Sequence, residues 1–334
     1  MIRIAIDAMG GDHAPAVPVA GAALALGELP SDVTVQLVGQ QRLVERELER
    51  HAVDRDRLQV IDAPEAIAMG EKPLHAIKSK RNSSIVLGIG LQKTSRSDAF
   101  ISAGNTGAVM AGSTLILGLY EGFERPAIGT TFPTSRQSVL VLDAGANVDC
   151  TAAELVGFAQ LGVVYARDVM GRTSPAVGLL NIGEEEEKGS AAAKEAHRLL
   201  RASGLPFVGN VEGRHILLGR SEAGDFDVVV CDGFVGNVLL KFYESLGRLF
   251  HGLVERELGA EVVAGEAMAR IFRALDYSEY GGAPLLGVRG ISIICHGRST
   301  ANAIRHAVRL AVDAAQHQLV QHMSREFAAS GQVT

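Results

Sequence analysis

Short apolar runs alternate with amphipathic segments along almost the whole chain. The runs are five to seven residues long and rich in Val, Ile and Leu, which predicts buried strands. They cover residues 2–7, 33–39, 58–62, 98–102, 138–143, 175–181, 227–232 and 291–296. Between them, helical spacing predicts helices over 14–29, 40–51, 84–96, from 105, over 151–170, 188–203, 234–257 and 299–322. This alternation predicts an α/β fold with a mostly parallel sheet covered on both faces.

We find neither an internal repeat nor a clear linker in this pattern. The expected organisation is therefore a single α/β catalytic domain over 1–327, in which 243–282 forms a helical hairpin, followed by a frayed tail at 328–334. The segment 99–120 carries no charge, but polar and glycine residues interrupt it early. It therefore predicts a strand, a turn and a buried helix, and not a membrane span.

Composition excludes several classes of function. The 334 residues carry a formal net charge of −6, with no Trp and 5% aromatic residues, so neither a basic field nor stacking platforms favour nucleic acid as a partner. The three cysteines lie far apart without a CxxC pair. Together with an N-terminal apolar run too short for a signal peptide, they predict a reducing, cytoplasmic location.

Six of the strands end in turns of similar chemistry. The turns read AMGGDH (8–13), AGNTG (103–107), AGANVD (144–149), NIGEEEEKG (181–189), DGFVGN (232–237) and HGRST (296–300). Parallel strands bring such turns to one edge of a sheet, where open α/β sheets bind ligands. Glycine lets the backbone approach a ligand, and helix N-termini present N–H groups to an anion. The turns therefore predict an anion-binding crevice.

The anion could be a dinucleotide, a nucleoside triphosphate or something smaller. The chain contains no G-x-G-x-x-G and no Gly-Lys pair, so the dinucleotide fingerprint and the Walker A loop are both missing. It also lacks H-E-x-x-H and G-x-S-x-G. These absences favour an anion smaller than a nucleotide.

Taken together, the turns resemble those of a known family. The blocks IAIDAMGGDHAP, ISAGNTGAVM, VLDAGANVDC, LLNIGEEEEKG, VCDGFVGNVLLK and GGAPLLGVRGISIICHG resemble the bacterial acyl-acyl carrier protein:phosphate acyltransferases of phospholipid synthesis. The resemblance implies a three-layer α/β/α, Rossmann-like fold similar to isopropylmalate dehydrogenases and phosphotransacetylases. It implies that inorganic phosphate attacks the thioester of an acyl carrier protein directly, giving acyl phosphate, without metal or other cofactor.

The candidate binding residues lie in these blocks. For phosphate they are Gly104, Asn105, Thr106, Gly107, Gly236 and Asn237, because Asn and Thr donate hydrogen bonds without adding negative charge. The asparagines could equally serve as helix caps. For the rest of the substrate they are Lys72, Lys78 and Asn147. The family commonly has Arg where this chain has Lys78, and Lys keeps the charge but loses the two-pronged fork.

The candidate catalytic residues are Lys188, His13, His296 and Asp232. Lys188 could stabilise the oxyanion, or it could be a solvated helical charge. Either histidine could donate a proton to the leaving thiolate or only hydrogen-bond its own turn. Asp232 would orient its turn and nearby cations, because a bare carboxylate repels phosphate.

Cys150, Cys231 and Cys295 flank turns, and an acyl-cysteine route through one of them would need a nearby base and a lowered pKa. We interpret them as small, buried strand thiols, and a catalytic role for Cys231 stays open.

The segment 243–282 stands apart because two amphipathic helices flank LGAEVVAG. It could be a hairpin packed on the body of the protein. The resemblance adds a homodimer contact and a peripheral membrane tip, with Leu258, Val262 and Val263 inserting into an anionic surface. A downstream membrane acyltransferase is a further expected partner. Two alternatives stay open at this point: a dehydrogenase of the same fold group and a non-catalytic membrane scaffold.

Overall fold

The computed structural model describes residues 1–275 and 281–330 and has two compact units. The first unit contains residues 1–126 and 281–334, and the second contains 127–280. Residues 276–280 of the predicted hairpin and 331–334 of the predicted tail lie outside the described residues. The expectation of a single catalytic domain stays a prediction.

The N-terminal part of the first unit alternates strands and helices as predicted. Its elements are β1 (Ile2–Asp7), α1 (Ala16–Glu28), β2 (Val33–Gly39), α2 (Gln41–Leu48), β3 (Leu58–Asp62), α3 (Pro73–Ser79), α4 (Ser84–Lys93), β4 (Ala99–Ser102) and α5 (Thr106–Ile116). β4 and α5 occupy the uncharged segment that we interpreted as strand, turn and helix, so that prediction is confirmed. Helix α3 lies between residues 62 and 84, a stretch in which the sequence predicted neither a strand nor a helix.

The second unit has the same alternation. Its elements are β5 (Ala127–Phe132), β6 (Val139–Leu142), α6 (Ala152–Asp168), β7 (Val177–Leu180), α7 (Ala191–Ala202), β8 (Phe207–Val211), α8 (Gly213–Ile216), β9 (Arg220–Ser221), β10 (Gly224–Asp225), β11 (Val228–Val230), α9 (Gly233–Leu258), α10 (Ala260–Ala264) and α11 (Glu266–Leu275). Helices α9 and α11 pair as the two arms of the predicted hairpin, with Phe250 and Phe272 5.8 Å apart between ring centroids.

The chain then returns to the first unit. This last part contains β12 (Ala283–Leu286), β13 (Ser292–Ile294), α12 (Ala301–Gln316) and α13 (Leu319–Ser330). The helix predicted over 299–322 is thus two helices. They are separated at Gln318, whose φ of +52° is not helical.

Each sheet is mostly parallel. In the first unit the strand order is β3-β2-β1-β4-β13-β12, and only the β12–β13 pair is antiparallel. In the second it is β5-β6-β11-β7-β8, and only β5–β6 is antiparallel. The strands β9 and β10 form a separate antiparallel pair.

Both faces of each central strand are covered. Successive side chains of a strand point to opposite faces, yet Ile4, Ala5 and Ile6 are all buried, and so are Val228 to Val230. In the first unit α1 packs with α12, and α4 packs with α5, while α4 and α12 both contact β1. In the second, α6 packs on β6 and β11. The predicted α/β class is therefore confirmed within each unit.

No helix among residues 1–275 and 281–330 has the length and apolar composition needed to cross a bilayer.

Candidate functional site

Three of the predicted turns meet at the carboxyl edge of the first unit's sheet, because β1, β4 and β13 are parallel neighbours. A Cβ added to Gly10 would lie 2.6 Å from the backbone nitrogen of Gly104. Asp12 N–H donates to the carbonyl of Gly297 at 2.8 Å. Only residues without side chains allow the turns after β1 and β4 to approach this closely.

Asp7 links the first two of these turns from beneath. Its buried carboxylate accepts hydrogen bonds from the Ser102 hydroxyl at 2.7 Å and from Met9 N–H at 3.0 Å. The Ser102 oxygen in turn accepts from Gly104 N–H at 3.0 Å. Burial raises the pKa of Asp7, and these hydrogen bonds oppose the rise.

Asn105 caps helix α5 and also fixes the loop that leads into α3. Its Oδ1 accepts from Ala108 N–H at 3.0 Å. Its Nδ2 donates to the carbonyls of Ala68, Met69 and Glu71 at 3.2, 2.9 and 3.1 Å. The amide would have to leave these carbonyls in order to bind phosphate, so a phosphate contact by this side chain stays a prediction.

The other predicted residues of this turn lie at the start of α5. Thr106 is exposed, and a Cβ on Gly107 would lie 2.5 Å from Pro73 Cγ. The two predicted substrate lysines, Lys72 and Lys78, are exposed at the two ends of α3. The contact between Gly107 and Pro73 therefore fixes how close these lysines lie to the turn.

His13 and His296 are both exposed in the contacting turns of this edge. Nδ1 of His296 accepts from Arg298 N–H at 3.1 Å. In the neutral ring Nε2 therefore carries a hydrogen and can donate a hydrogen bond. Transfer of a proton to a thiolate requires the protonated ring, so the proton donation predicted for either histidine stays a prediction.

The other three turns lie at the carboxyl edge of the second unit's sheet, because β11 is parallel to both β6 and β7. The turn after β6 folds around Asp143, which is fully buried. Its Oδ1 accepts from the N–H groups of Ile128, Gly145 and Ala146 at 2.9 to 3.2 Å. Its Oδ2 accepts from the backbone and side-chain nitrogens of Asn147 at 2.6 and 2.9 Å. Burial raises the pKa of Asp143, whereas its hydrogen bonds favour the ionised form.

Helix α9 begins directly on this turn. A Cβ on Gly236 would overlap the carbonyl oxygen of Asp143, and one on Gly233 would lie 2.6 Å from Asp143 Oδ2. Gly145 has φ +130°, and a Cβ there would lie 3.3 Å from that of Asn237. Asn237 itself is exposed. The arrangement places a helix N-terminus, a glycine turn and an exposed amide together, which is suited to a small anion.

Asp232 acts as a structural link in this arrangement. Its Oδ1 accepts from Phe234 N–H and its Oδ2 from Cys150 N–H, both at 2.8 Å. It therefore caps α9 and ties the helix to the turn that precedes α6. A catalytic role for Asp232 stays a prediction.

The cysteines are buried and free, as the sequence predicted. Burial raises the pKa of Cys150 and Cys295 to about 12 each, and it raises that of Cys231 further. A thiol is nucleophilic only as the thiolate. The geometry thus gives no support to an acyl-cysteine intermediate.

Lys188 is exposed at the end of the turn after β7. The sequence predicted a helix from residue 188, but helix α7 begins at Ala191 with Ser190 as its cap, so Glu184 to Glu187 lie well before the helix. The hydroxyl of Ser190 accepts from Ala193 N–H and supplies the stronger start signal. The glutamates belong to the turn itself.

Sequence reasoning missed two polar residues that support these turns. Ser102, the last residue of β4, bonds to Asp7, and Asn210 of β8 bonds to the turn that carries Lys188. A polar residue at the end of a buried strand was the only signal for Ser102. Among residues 1–275 and 281–330, no group of three or more His, Cys, Asp or Glu is arranged to hold a metal ion.

Comparison with known proteins gives a consistent result. The model of a family described as "Fatty acid synthesis protein" matches residues 2–322. The phosphate acyltransferase of Desulforamulus reducens is 47% identical over 326 residues, covering 96% of each chain. That of Nostoc punctiforme is 47% identical over 336 residues, covering 98% of this chain and 96% of its own.

Solved structures extend the similarity to the fold. A phosphotransacetylase from Streptococcus pyogenes superposes with a TM-score of 0.65 at 15% identity, covering 96% of this chain and 94% of its own. The EutD phosphotransacetylase from Staphylococcus aureus gives 0.60 at 14% identity, covering 95% and 94%. At such identities the comparison bears on the fold alone, and it confirms the predicted phosphotransacetylase-like class.

Proposed function

Because the chain belongs to the phosphate acyltransferase family, and so is an acyltransferase of fatty acid and phospholipid synthesis, we propose that it transfers a fatty acyl group from acyl carrier protein to inorganic phosphate. The family assignment leaves no support for the dehydrogenase or the scaffold alternative. The acyl carrier donor and the direct attack of phosphate are our proposal.

The start of α9 is the observation that carries this proposal. Gly233 and Gly236 let the helix begin in contact with the turn around Asp143, and Asn237 is exposed beside the positive-φ Gly145. Phosphate held there would accept hydrogen bonds from helix N–H groups and from the Asn237 amide. Asn147, which is bonded to Asp143, would keep the turn in shape. The role predicted for residues 104–107 in binding phosphate remains part of the proposal.

In the proposed reaction, an oxygen of hydrogenphosphate attacks the thioester carbonyl carbon. The new carbon–oxygen bond forms, the carbon–sulfur bond breaks, and the carrier leaves as a thiolate that takes up one proton. His13 and His296 are the proposed donors of that proton, and Lys188 the proposed partner of the oxyanion. Since phosphate is the nucleophile, no covalent enzyme intermediate is needed.

The test supplies acyl carrier thioester and phosphate and follows free thiol and acyl phosphate. Asn237→Ala should raise the KM for phosphate about tenfold, the effect of one lost hydrogen bond to a charged group, and leave the KM for the acyl carrier unchanged. Lys241→Ala, one turn further along the same helix and paired with Glu244, is the matched control. If thiol release does not depend on phosphate, the proposal is wrong.

Several features of the cellular setting belong to the same proposal. The enzyme would act as a homodimer in the cytoplasm and bind peripherally to an anionic membrane. There it could pass acyl phosphate to a membrane acyltransferase. Lys72 and Lys78, exposed on α3, would contact the acyl carrier substrate.

A further inference from the structure

The turn that carries Lys188 is held by contacts within the turn and by side chains of α7 and β8. Asn181 is the first residue of the turn. Its Nδ2 donates to the carbonyl of Lys188, near the end of the turn, at 3.1 Å. Gly189 follows with φ +89°, and a Cβ there would clash with Asn181. These contacts fix the two ends of the turn.

The middle of the turn is fixed by one carbonyl oxygen. The oxygen of Glu185 accepts from Lys188 N–H at 3.1 Å. It also accepts from Nδ2 of Asn210 at 2.7 Å. Asn210 is buried on β8, so a side chain of the sheet bonds to the same oxygen that sets the backbone position of Lys188.

The amide of Asn210 is itself oriented by His197 of α7. Nδ1 of His197 lies 3.0 Å from Oδ1 of Asn210, and because that oxygen can only accept, Nδ1 carries the proton. The ring is buried and packs edge-on against Phe207 at 5.1 Å. A flip of the Asn210 amide would break the bonds to both His197 and Glu185.

Two glutamates of the turn lie close to basic side chains of α7 and α8. Glu184 lies 3.3 Å from Nε2 of the buried His215. Glu186 pairs with Arg201, and it lies 3.7 Å from Nε2 of His197. Two of the four glutamates, Glu184 and Glu186, therefore lie against the elements that support the turn.

We propose that His197 and Asn210 are positioning residues for acyl transfer, which act by fixing the Glu185 carbonyl and, through it, Lys188. The inference rests on the proposed function, since Lys188 has its role there. Neither residue needs to touch substrate. Their effect should therefore fall on kcat and leave the KM for phosphate nearly unchanged.

Two substitutions of His197 separate positioning from packing. His197→Asn removes the ring but places an N–H donor where Nδ1 stood, whereas His197→Gln moves the donor one bond further out. We expect kcat to fall on the order of 100-fold in His197→Gln and in Asn210→Ala, as for a misplaced catalytic group, and to stay within about threefold of wild type in His197→Asn. Equal losses in His197→Asn and His197→Gln would show that only packing matters and would overturn the proposal.

A double variant tests whether the effect passes through Lys188. In a Lys188→Ala background, Asn210→Ala should cause no further loss of kcat, because the group that it positions is already gone. A further loss as large as in wild type would contradict the proposal.

A second readout does not depend on the proposed function. Trypsin can cut after the exposed Lys188, and cutting should be faster in His197→Gln and Asn210→Ala than in wild type and His197→Asn. If all four proteins, the wild type included, lack acyl transfer but this ranking of cutting rates holds, the proposed function fails and the positioning of the turn stands. If cutting is the same in all four proteins, the positioning proposal fails.

Discussion

Burial lowers the reactivity of the cysteines of this protein, as Cys150 shows. Burial raises the pKa of Cys150 from 9.0 to about 12. At pH 8 the folded protein should therefore hold about one thiolate in ten thousand at this position, against about one in ten for an unperturbed thiol. Cys150 should accordingly react with iodoacetamide far more slowly in the native protein than in urea, as measured by peptide mass spectrometry. Fast native labelling would restore an acyl-cysteine route.

Asp7 should make stability depend on pH in a defined direction. Burial raises its folded pKa above the ordinary 3.8. The free energy of unfolding that Asp7 contributes is therefore fully present below pH 3.8, and it is lost as the pH rises through the folded pKa. Relative to Asp7→Asn, the wild type should lose free energy of unfolding between pH 4 and pH 8 in urea titrations. Asp12→Asn, at an exposed carboxyl of the same turn, is the comparison, and parallel curves for wild type and Asp7→Asn would contradict the expectation.

Two asparagines show what the sequence can and cannot predict about a single residue. Asn105 and Asn237 both stand in glycine turns after strands, and the sequence treats them alike. In the structure Asn105 is buried and bonded to three carbonyls of residues 68–71, while Asn237 is exposed. The difference comes from a loop more than thirty residues away, and neither spacing nor composition encodes that contact.

At the scale of elements, the close contact between the start of α9 and the turn after β6 predicts which glycines of this helix can be replaced. Gly236→Ala would drive a methyl group into the carbonyl of Asp143 and should lower the free energy of unfolding by about 2 kcal/mol, as other overpacked sites do. Gly247→Ala lies on the same helix with nothing within 4 Å of its Cβ position. It should instead raise stability by up to about 1 kcal/mol. Urea denaturation of both variants makes the comparison, and a neutral Gly236→Ala would show that the helix start can shift.

Element prediction succeeded where a strand is a continuous apolar run. All eight predicted strands are present, with ends that differ by no more than two residues. The strands β5, β8 and β12 were missed because Gly, Asn or Pro interrupts their apolar runs, which read AIGTTF, FVGNV and APLL. The strands β9 and β10 were missed because each has only two residues. Their place in a sheet depends on pairing with neighbours, which is tertiary context that local pattern does not contain.

At the scale of the whole molecule, the hairpin of α9 and α11 is the feature that would link the chemistry to a membrane. Its exposed apolar side chains include Phe242, Leu249 and Leu258, and the short helix α10 between the arms contains Val262, which is 40% exposed, and Val263.

In the proposed membrane role, such a tip would insert its apolar side chains below lipid headgroups, and Arg248 and Arg273 would attract anionic lipid. Arg256 and Arg270 instead pair with Glu257 and Glu266. Within the described residues, α9 and α11 form the two helical arms that the sequence predicted for this segment, and the membrane role of the hairpin stays a prediction.

Replacing Val262 and Val263 together by Asp should abolish cosedimentation with anionic vesicles, because two carboxylates would have to enter the interface. Acyl transfer to phosphate from acyl carrier thioester in solution should be unaffected, since these residues lie on α10 at the far end of α9 from Asn237. Leu24→Asp, at an exposed position of α1, controls for the added charge. Vesicle binding that survives in the double variant would place the anchor elsewhere. A loss of binding without loss of turnover would separate the site that performs acyl transfer from the surface that delivers its product.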